Sequence, residues 1–343
     1  MILINVMKKQ RLLILNNHGI GDVLMGFPAC RWLYSKPQFD IWMAVKGQPA
    51  IDLCTNERLG TQFITLSMAS KRQLIKDLFT LRKLKIDTVI GWWSYSRTKM
   101  ALLCYVIGAK QFFCPDFNEQ DLYDRNTSHK CHKSLSLVKQ FLEEPIPWEQ
   151  EKDYFLDNID NLVVNKLIEH KNYIVVFPGC GEKEKFKRWP ISEWVKFCKL
   201  FIAINPKKNI IISGSASESI IAEEIITKVN LKDNHIIKNL CGKITIRQVA
   251  GLCKYAKFVI GGDNGGLHIA NASGAKVIAI MGPTNSALTG PINPTLIIDQ
   301  KLPGTPWYSS SALKKKMKNK KPDISMQIPA VRVIKELDKI NLL

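Results

Sequence analysis

Asp22 lies in the run Asn16-Asn17-His18-Gly19-Ile20-Gly21-Asp22-Val23-Leu24, which joins the apolar stretch RLLIL to a helical pattern through Phe27 to Leu33. Two roles suit a carboxylate there. It can cap the helix that follows, or, facing a cleft, it can take a proton as a general base. The glycines let backbone approach a ligand closely, and amides at a helix start favour anions. As a dinucleotide fingerprint the run is poor. Leu24 stands where the third glycine belongs, and the acidic residue about 20 positions on, Asp40, precedes the next apolar stretch instead of ending it.

A second cluster follows the stretch YIVVF: Phe177-Pro178-Gly179-Cys180, then GEKEKFKRWPISEW. Lys183, Lys185, Lys187 and Arg188 gather cationic donors at one strand end, ahead of a helix for which Ser192 is a plausible cap. Such a group can hold a diphosphate, although a solvated basic loop has the same composition. The third cluster is Gly261-Gly262-Asp263-Asn264-Gly265-Gly266, which opens a helix bearing His268, with Gly282-Pro283-Thr284 closing the strand after it. Glycines and a helix N-terminus make an anion site, with Asp263 poised beside it. His268 fits either a ligand-side or a structural role.

The elements that hold these loops are legible as alternation. RLLIL, DIWMAV, QFITL, DTVIGW and QFFC are short, β-branched or aromatic, and separated by helical patterns; the rhythm restarts with NYIVVF, NIIISG, HIIKNL, KFVIGG, KVIAIMG and TLIID. Strands alternating with helices build parallel sheets, and ligands bind at the carboxyl ends of their strands. The fold class expected is therefore α/β with two domains, joined across the polar, proline-containing stretch near residues 145–168. IPAVRVIKELDKI has the spacing of a terminal helix.

A chain of 343 residues with 46% hydrophobic content can bury a sizeable core, which excludes disorder for most of it. No apolar run approaches the roughly 18 residues that cross a bilayer, and the basic pair in the first residues follows the apolar stretch, unlike a secretion signal. A soluble or peripheral protein is expected. The nine cysteines form no CxxC pair and sit in apolar segments, so reduced, buried thiols are expected. The net charge of +19 attracts a polyanion: nucleic acid, anionic lipid or phosphorylated glycolipid. Part of it is the run Lys314, Lys315, Lys316, Lys318, Lys320, Lys321, which serves equally as a docking patch or a solvated loop.

Taken together, GIGDVLMGFPACRWL, DTVIGWWSYSRTKMALLCYVIGAKQ, KRWPISEW and the long segment NLCGKITIRQVAGLCKYAKFVIGGDNGGLHIANASGAKVIAIMGPT resemble glycosyltransferase family 9, the family of the ADP-heptose:lipopolysaccharide heptosyltransferases. HKCHKSLSLVKQFL and IISGSASE fit weaker blocks between them, so the resemblance covers nearly the whole chain in order. It implies a glycosyltransferase B-type fold, with two Rossmann-like domains facing across a cleft. Residues 1–155 would form the acceptor-binding domain and residues 165–324 the nucleotide-sugar-binding domain, with the helix 325–343 packing back on the first.

The resemblance also implies an inverting, metal-independent transfer of heptose from ADP-heptose to the lipopolysaccharide inner core, without a cofactor. Asp22 matches the catalytic base and Lys187 the lysine that meets the donor diphosphate. Gly179, Cys180, Asp263, Asn264, Gly265, Gly266 and His268 fall in the donor site, and His18, Gly21 and Arg97 on the acceptor side. Partners so implied are a nucleotide sugar, a lipopolysaccharide-core or lipid-linked glycan acceptor and an anionic membrane surface, with the protein cytoplasmic on the inner face of the inner membrane. Two departures stand out. Cys180 to Phe186 is longer and more basic than the family pattern, and a cysteine-bearing segment near the end is replaced by SSSALKKKMKNKKPDISM. Another nucleotide sugar or surface glycan is the alternative within the family. Outside it stand a non-catalytic nucleotide-sugar or glycolipid binding protein, against which Asp22, Lys187 and Asp263 together argue, and a nucleic-acid binder, for which only the charge speaks.

Overall fold

A computed structural model describes residues 9–55, 57, 59, 62–66, 70–92, 96–115, 129–146, 154–157, 159–160, 172–230, 237–300, 302–303 and 323–343. The lysine run from 314 to 321 lies outside the described residues, as does most of the expected junction. The chain divides into two compact units, Met1–Asn158 and Ile159–Leu343.

The first unit carries the strands β1 (Gln10–Asn16), β2 (Phe39–Val45), β3 (Gln62–Thr65), β4 (Thr88–Gly91) and β5 (Gln111–Phe113). They pair in parallel in the order β3-β2-β1-β4-β5. Between them run the helices α1 (Ile20–Met25), α2 (Phe27–Tyr34), α3 (Gln48–Cys54), α4 (Lys71–Lys83) and α5 (Arg97–Ile107), followed by α6 (Lys130–Leu142). Leu12, Leu13, Ile14 and Leu15 of β1 are all buried, as a central strand covered on both faces requires. Leu13 and Leu15 meet the inner faces of α4 and α5 through Leu81, Met100, Cys104 and Ile107.

The helical pattern read from Phe27 to Leu33 is α2, which meets α1 at Gly26. A Cβ there would sit 3.0 Å from Trp92 Nε1 and 3.1 Å from Asn16 Nδ2, so side chains at the ends of β1 and β4 crowd this point. At the far end of the unit, buried Arg31 donates to the Phe155 carbonyl at 2.7 Å and pairs with Glu57 at 3.1 Å and Asp157 at 2.9 Å. These bonds tie residues 155–157 to α2.

The second unit carries β6 (Tyr173–Phe177), β7 (Asn209–Ile212), β8 (Ile237–Asn239), β9 (Val259–Gly261), β10 (Val277–Met281) and β11 (Leu296–Asp299), all parallel in the order β11-β10-β9-β6-β7-β8. Its helices are α7 (Ile191–Ile204), α8 (Ser219–Val229), α9 (Ile246–Lys254), α10 (Gly265–Ala272), α11 (Ser286–Thr289) and α12 (Ala330–Lys339). Trp189, Trp194, Phe197, Phe201 and Phe258 pack in a chain of edge-on and stacked rings under this sheet.

Two local expectations are corrected here. Ser192 is not the cap of α7; Pro190 holds that position, and Glu193 in the first turn instead accepts from the Ala330 amide at 2.8 Å. That bond fixes the start of α12, whose Ala330, Val333, Ile334 and Leu337 are buried in the second unit's core against α7. The terminal helix was expected on the first domain; its buried apolar positions instead belong to the core of the second. All nine cysteines are free and buried, as their apolar surroundings in the sequence implied.

Candidate active site

In both sheets the chain reverses direction beside its first strand, between β1 and β4 in one unit and between β6 and β9 in the other. Open α/β sheets bind ligands in the crevice that this reversal leaves at the strands' carboxyl ends. The three loops singled out above fall at these two places.

In the first unit, β1 ends at Asn16, and His18 turns the chain back by donating its amide to the Asn16 carbonyl at 2.9 Å. Gly19 is the N-cap of α1, Gly21 is buried and Asp22 stands in the first turn. The capping role for Asp22 is thereby corrected, because the cap position belongs to a glycine. The Asp22 carboxylate instead accepts a hydrogen bond from the Lys130 ammonium, with both side chains roughly a quarter exposed. Lys130 is the first residue of α6, whose start is capped by the His129 ring accepting from the Cys131 amide at 3.1 Å. Arg97 opens α5, which follows β4, and so lies at the same end of the sheet. Sequence reading missed Lys130, since nothing in HKC marks a residue that meets a carboxylate 108 positions away.

In the second unit, Lys187 is buried and its ammonium lies 3.0 Å from both Asp263 and Glu184. Asp263 also lies 3.7 Å from His268 Nε2. Burial alone would push the Asp263 carboxyl up. The Lys187 charge, with the His268 ring close by, outweighs it and holds the group well below the usual carboxylate range. Asn264 caps α10 by accepting from the Leu267 amide at 2.9 Å, while its Nδ2 donates to the carbonyls of Phe177 at 3.2 Å and Gly179 at 2.8 Å. One side chain thus fixes the β6 loop against the helix start, beside Gly265.

Two readings of this half change with the structure. Gly266 has a packing reason to be glycine, because a Cβ there would lie 2.4 Å from the Phe177 ring. The basic loop is no uniform anion cradle either. Lys185 and Arg188 both pair with Glu182 at 2.8 Å, which pulls that exposed carboxyl down to about 2. Arg188 also donates to the Cys180 carbonyl at 2.8 Å. Burial pushes the Cys180 thiol up to about 12, so it is a packed neutral group. Glu182 and Glu184 went unread as counter-ions, although i,i+3 spacing to Lys185 and Lys187 carried the signal. Among the described residues no cluster of three or more His, Cys, Asp or Glu is arranged to hold a metal.

The model of glycosyltransferase family 9 (heptosyltransferase) matches residues 81–316. The chain belongs to that family. It is a glycosyltransferase, with the mixed α/β architecture of two parallel sheets that the solved members share. Lipooligosaccharide heptosyltransferase 2 of Campylobacter jejuni is 24% identical over 281 residues, 79% of this chain and 81% of that protein. Lipopolysaccharide heptosyltransferase 2 of Escherichia coli is 25% identical over 167 residues, 47% of this chain and 45% of that one. Among solved structures, the E. coli ADP-heptose lps heptosyltransferase II superposes with a TM-score of 0.70 at 19% identity, covering 97% of this chain and 99% of its own.

Proposed function

We propose that this family 9 enzyme transfers heptose from ADP-heptose to a hydroxyl of a lipopolysaccharide core acceptor, with inversion and without a metal. The observation that carries it is Lys187: a buried ammonium at the carboxyl-end crevice of the second sheet, held between two carboxylates beside the capped start of α10. A diphosphate arriving there would meet a charge-assisted donor at the positive end of α10, which stabilises a leaving diphosphate as its negative charge grows. Asp263, kept ionised, and His268 line the same place and would orient the sugar. In the first unit Asp22 is the base that takes the acceptor proton, oriented by Lys130, with His18, Gly21 and Arg97 on the acceptor side. Relatives named as lipooligosaccharide and lipopolysaccharide heptosyltransferases support such an acceptor, which would be lipid-anchored at the inner face of the inner membrane.

The test is a thermal-shift screen of nucleotide sugars followed by transfer assays. ADP-heptose at 100 times its dissociation constant should stabilise the protein by about 2.7 kcal/mol. UDP- and GDP-sugars should leave it unmoved, and chelator should leave transfer intact. Stabilisation by another nucleotide sugar alone would assign a different donor, and activity that required an added divalent ion would remove Lys187 from its role.

A further inference from the structure

Helices α4 and α5 cover one face of the first sheet, and their outer surface sets large apolar side chains beside cations. On α4 the positions Arg72, Ile75, Lys76, Phe79 and Lys83 recur at helical spacing, so one stripe carries both cations and large apolar groups. Ile75 is 54% exposed and Phe79 64%; on α5, Leu102 is 63% exposed and Tyr105 85%. The two helices are fastened together by Arg82, which donates to the Val106 carbonyl at 2.6 Å. Apolar groups this exposed on adjoining helices mark a contact surface.

The charge says what kind. Residues 71–110 hold nine Lys and Arg against two Asp and no Glu, seven of the chain's nineteen net positive charges. Of the two Asp, Asp77 is buried and accepts from Gln73 at 2.8 Å, while Asp87 accepts from the Arg11 amide at 3.0 Å and offsets Lys110 at 2.9 Å, which leaves the face strongly positive. A second copy of the same face would bring like charges together, which disfavours self-association. A surface both negative and able to receive Phe, Leu, Ile and Tyr side chains is the headgroup boundary of an anionic bilayer.

We propose that the α4–α5 face docks this enzyme on anionic lipid, with Ile75, Phe79, Leu102 and Tyr105 entering the headgroup boundary and Arg72, Lys76, Lys83 and Lys99 meeting lipid phosphates. The proposal rests on the reading above that the acceptor is lipid-anchored, but its test needs no sugar transfer. The full chain is floated with phosphatidylcholine vesicles with and without phosphatidylglycerol. The parent should bind only the anionic vesicles. The variant I75S/F79S/L102S/Y105S should bind them at least tenfold less at every salt concentration. The variant R72Q/K76Q/K83Q/K99Q should lose binding chiefly at low salt, where screening leaves the lysine contribution intact. Both should melt as the parent does and keep activity on a soluble, delipidated acceptor. Parent-like vesicle binding by the apolar variant would overturn the proposal, as would a parent dimer that this variant converts to monomer. Loss of transfer by the parent on every acceptor, with vesicle binding intact, would instead remove the proposed donor or acceptor.

Discussion

Each unit sets an aspartate against a lysine distant in sequence, and the two pairs are built to opposite ends. Asp22 and Lys130 are both about a quarter exposed, so water and substrate reach them; Lys187 and Asp263 are nine-tenths buried and bracketed by Glu184 and His268. An ion pair open to water adds little to stability, whereas a buried one is costly to break because the survivor is left uncompensated. A proton acceptor needs the first property. A site that must present a fixed charge to a donor needs the second.

The sharpest break between the pairs is Asp22→Asn. Loss of a base acts on the transition state, so transfer should fall by about 10² to 10⁴, with donor affinity unchanged by calorimetry. Equal turnover in variant and parent would leave Asp22 without a chemical role. Next comes Lys187→Ala, which should destabilise the protein by about 3–5 kcal/mol, since Asp263 and Glu184 lose their common cation. Donor affinity should fall with it. The double variant Lys187→Met, Asp263→Asn separates the two effects: thermal stability should return toward the parent while donor binding stays weak. Recovery of both would make Lys187 a structural residue only.

A pH series on thermal stability probes the same buried pair. The folded-state value of Asp263 lies below its unfolded value of about 3.9, so its contribution is complete above about pH 5 and is lost as pH falls through the folded value. Asp263→Asn should therefore narrow the gap to the parent as the solution is acidified below about pH 5. A gap that stays constant down to acid would show that the pair adds nothing to folding.

The eleven strands of the described residues were legible, because the central ones, buried on both faces, are continuous apolar runs that Gly, Asp and Asn punctuate, and the edge strands keep the same rhythm. The loops holding Asp22, Lys187 and Asp263 followed from the same rhythm, since strand ends are where such folds bind. Partnerships did not follow. Lys130 meets Asp22 across 108 residues and Lys187 meets Asp263 across 76, and only the packing of helices on each sheet brings them together. The same holds for the terminal helix, whose apolar stripe shows that it must be covered but not by what; the Glu193 bond to the Ala330 amide decides it. Gly266 shows a further limit, because a glycine demanded by the Phe177 ring reads like one demanded by a phosphate.

The smallest effect expected on stability belongs to Lys130→Gln, and it bears most directly on the contrast between the pairs. Asp22 and Lys130 keep access to water, so removing the ammonium leaves a carboxylate that solvent can satisfy, and stability should change by about 0–1 kcal/mol. Turnover should respond more. Lys130 is held by α6, whose Ser134 reaches the Met25 carbonyl at the end of α1, so the ammonium sits in a fixed place and orients the carboxylate that must face the acceptor. A base misplaced by about 1 Å can lose 10²-fold in rate, so kcat should drop while the melting temperature and donor affinity hold. Lys130→Arg, which keeps the charge and a donor, should recover part of the rate. A variant that lost stability as steeply as Lys187→Ala would erase the distinction between an accessible pair and a locked one. A variant with unchanged kcat would leave Asp22 oriented by its own helix alone.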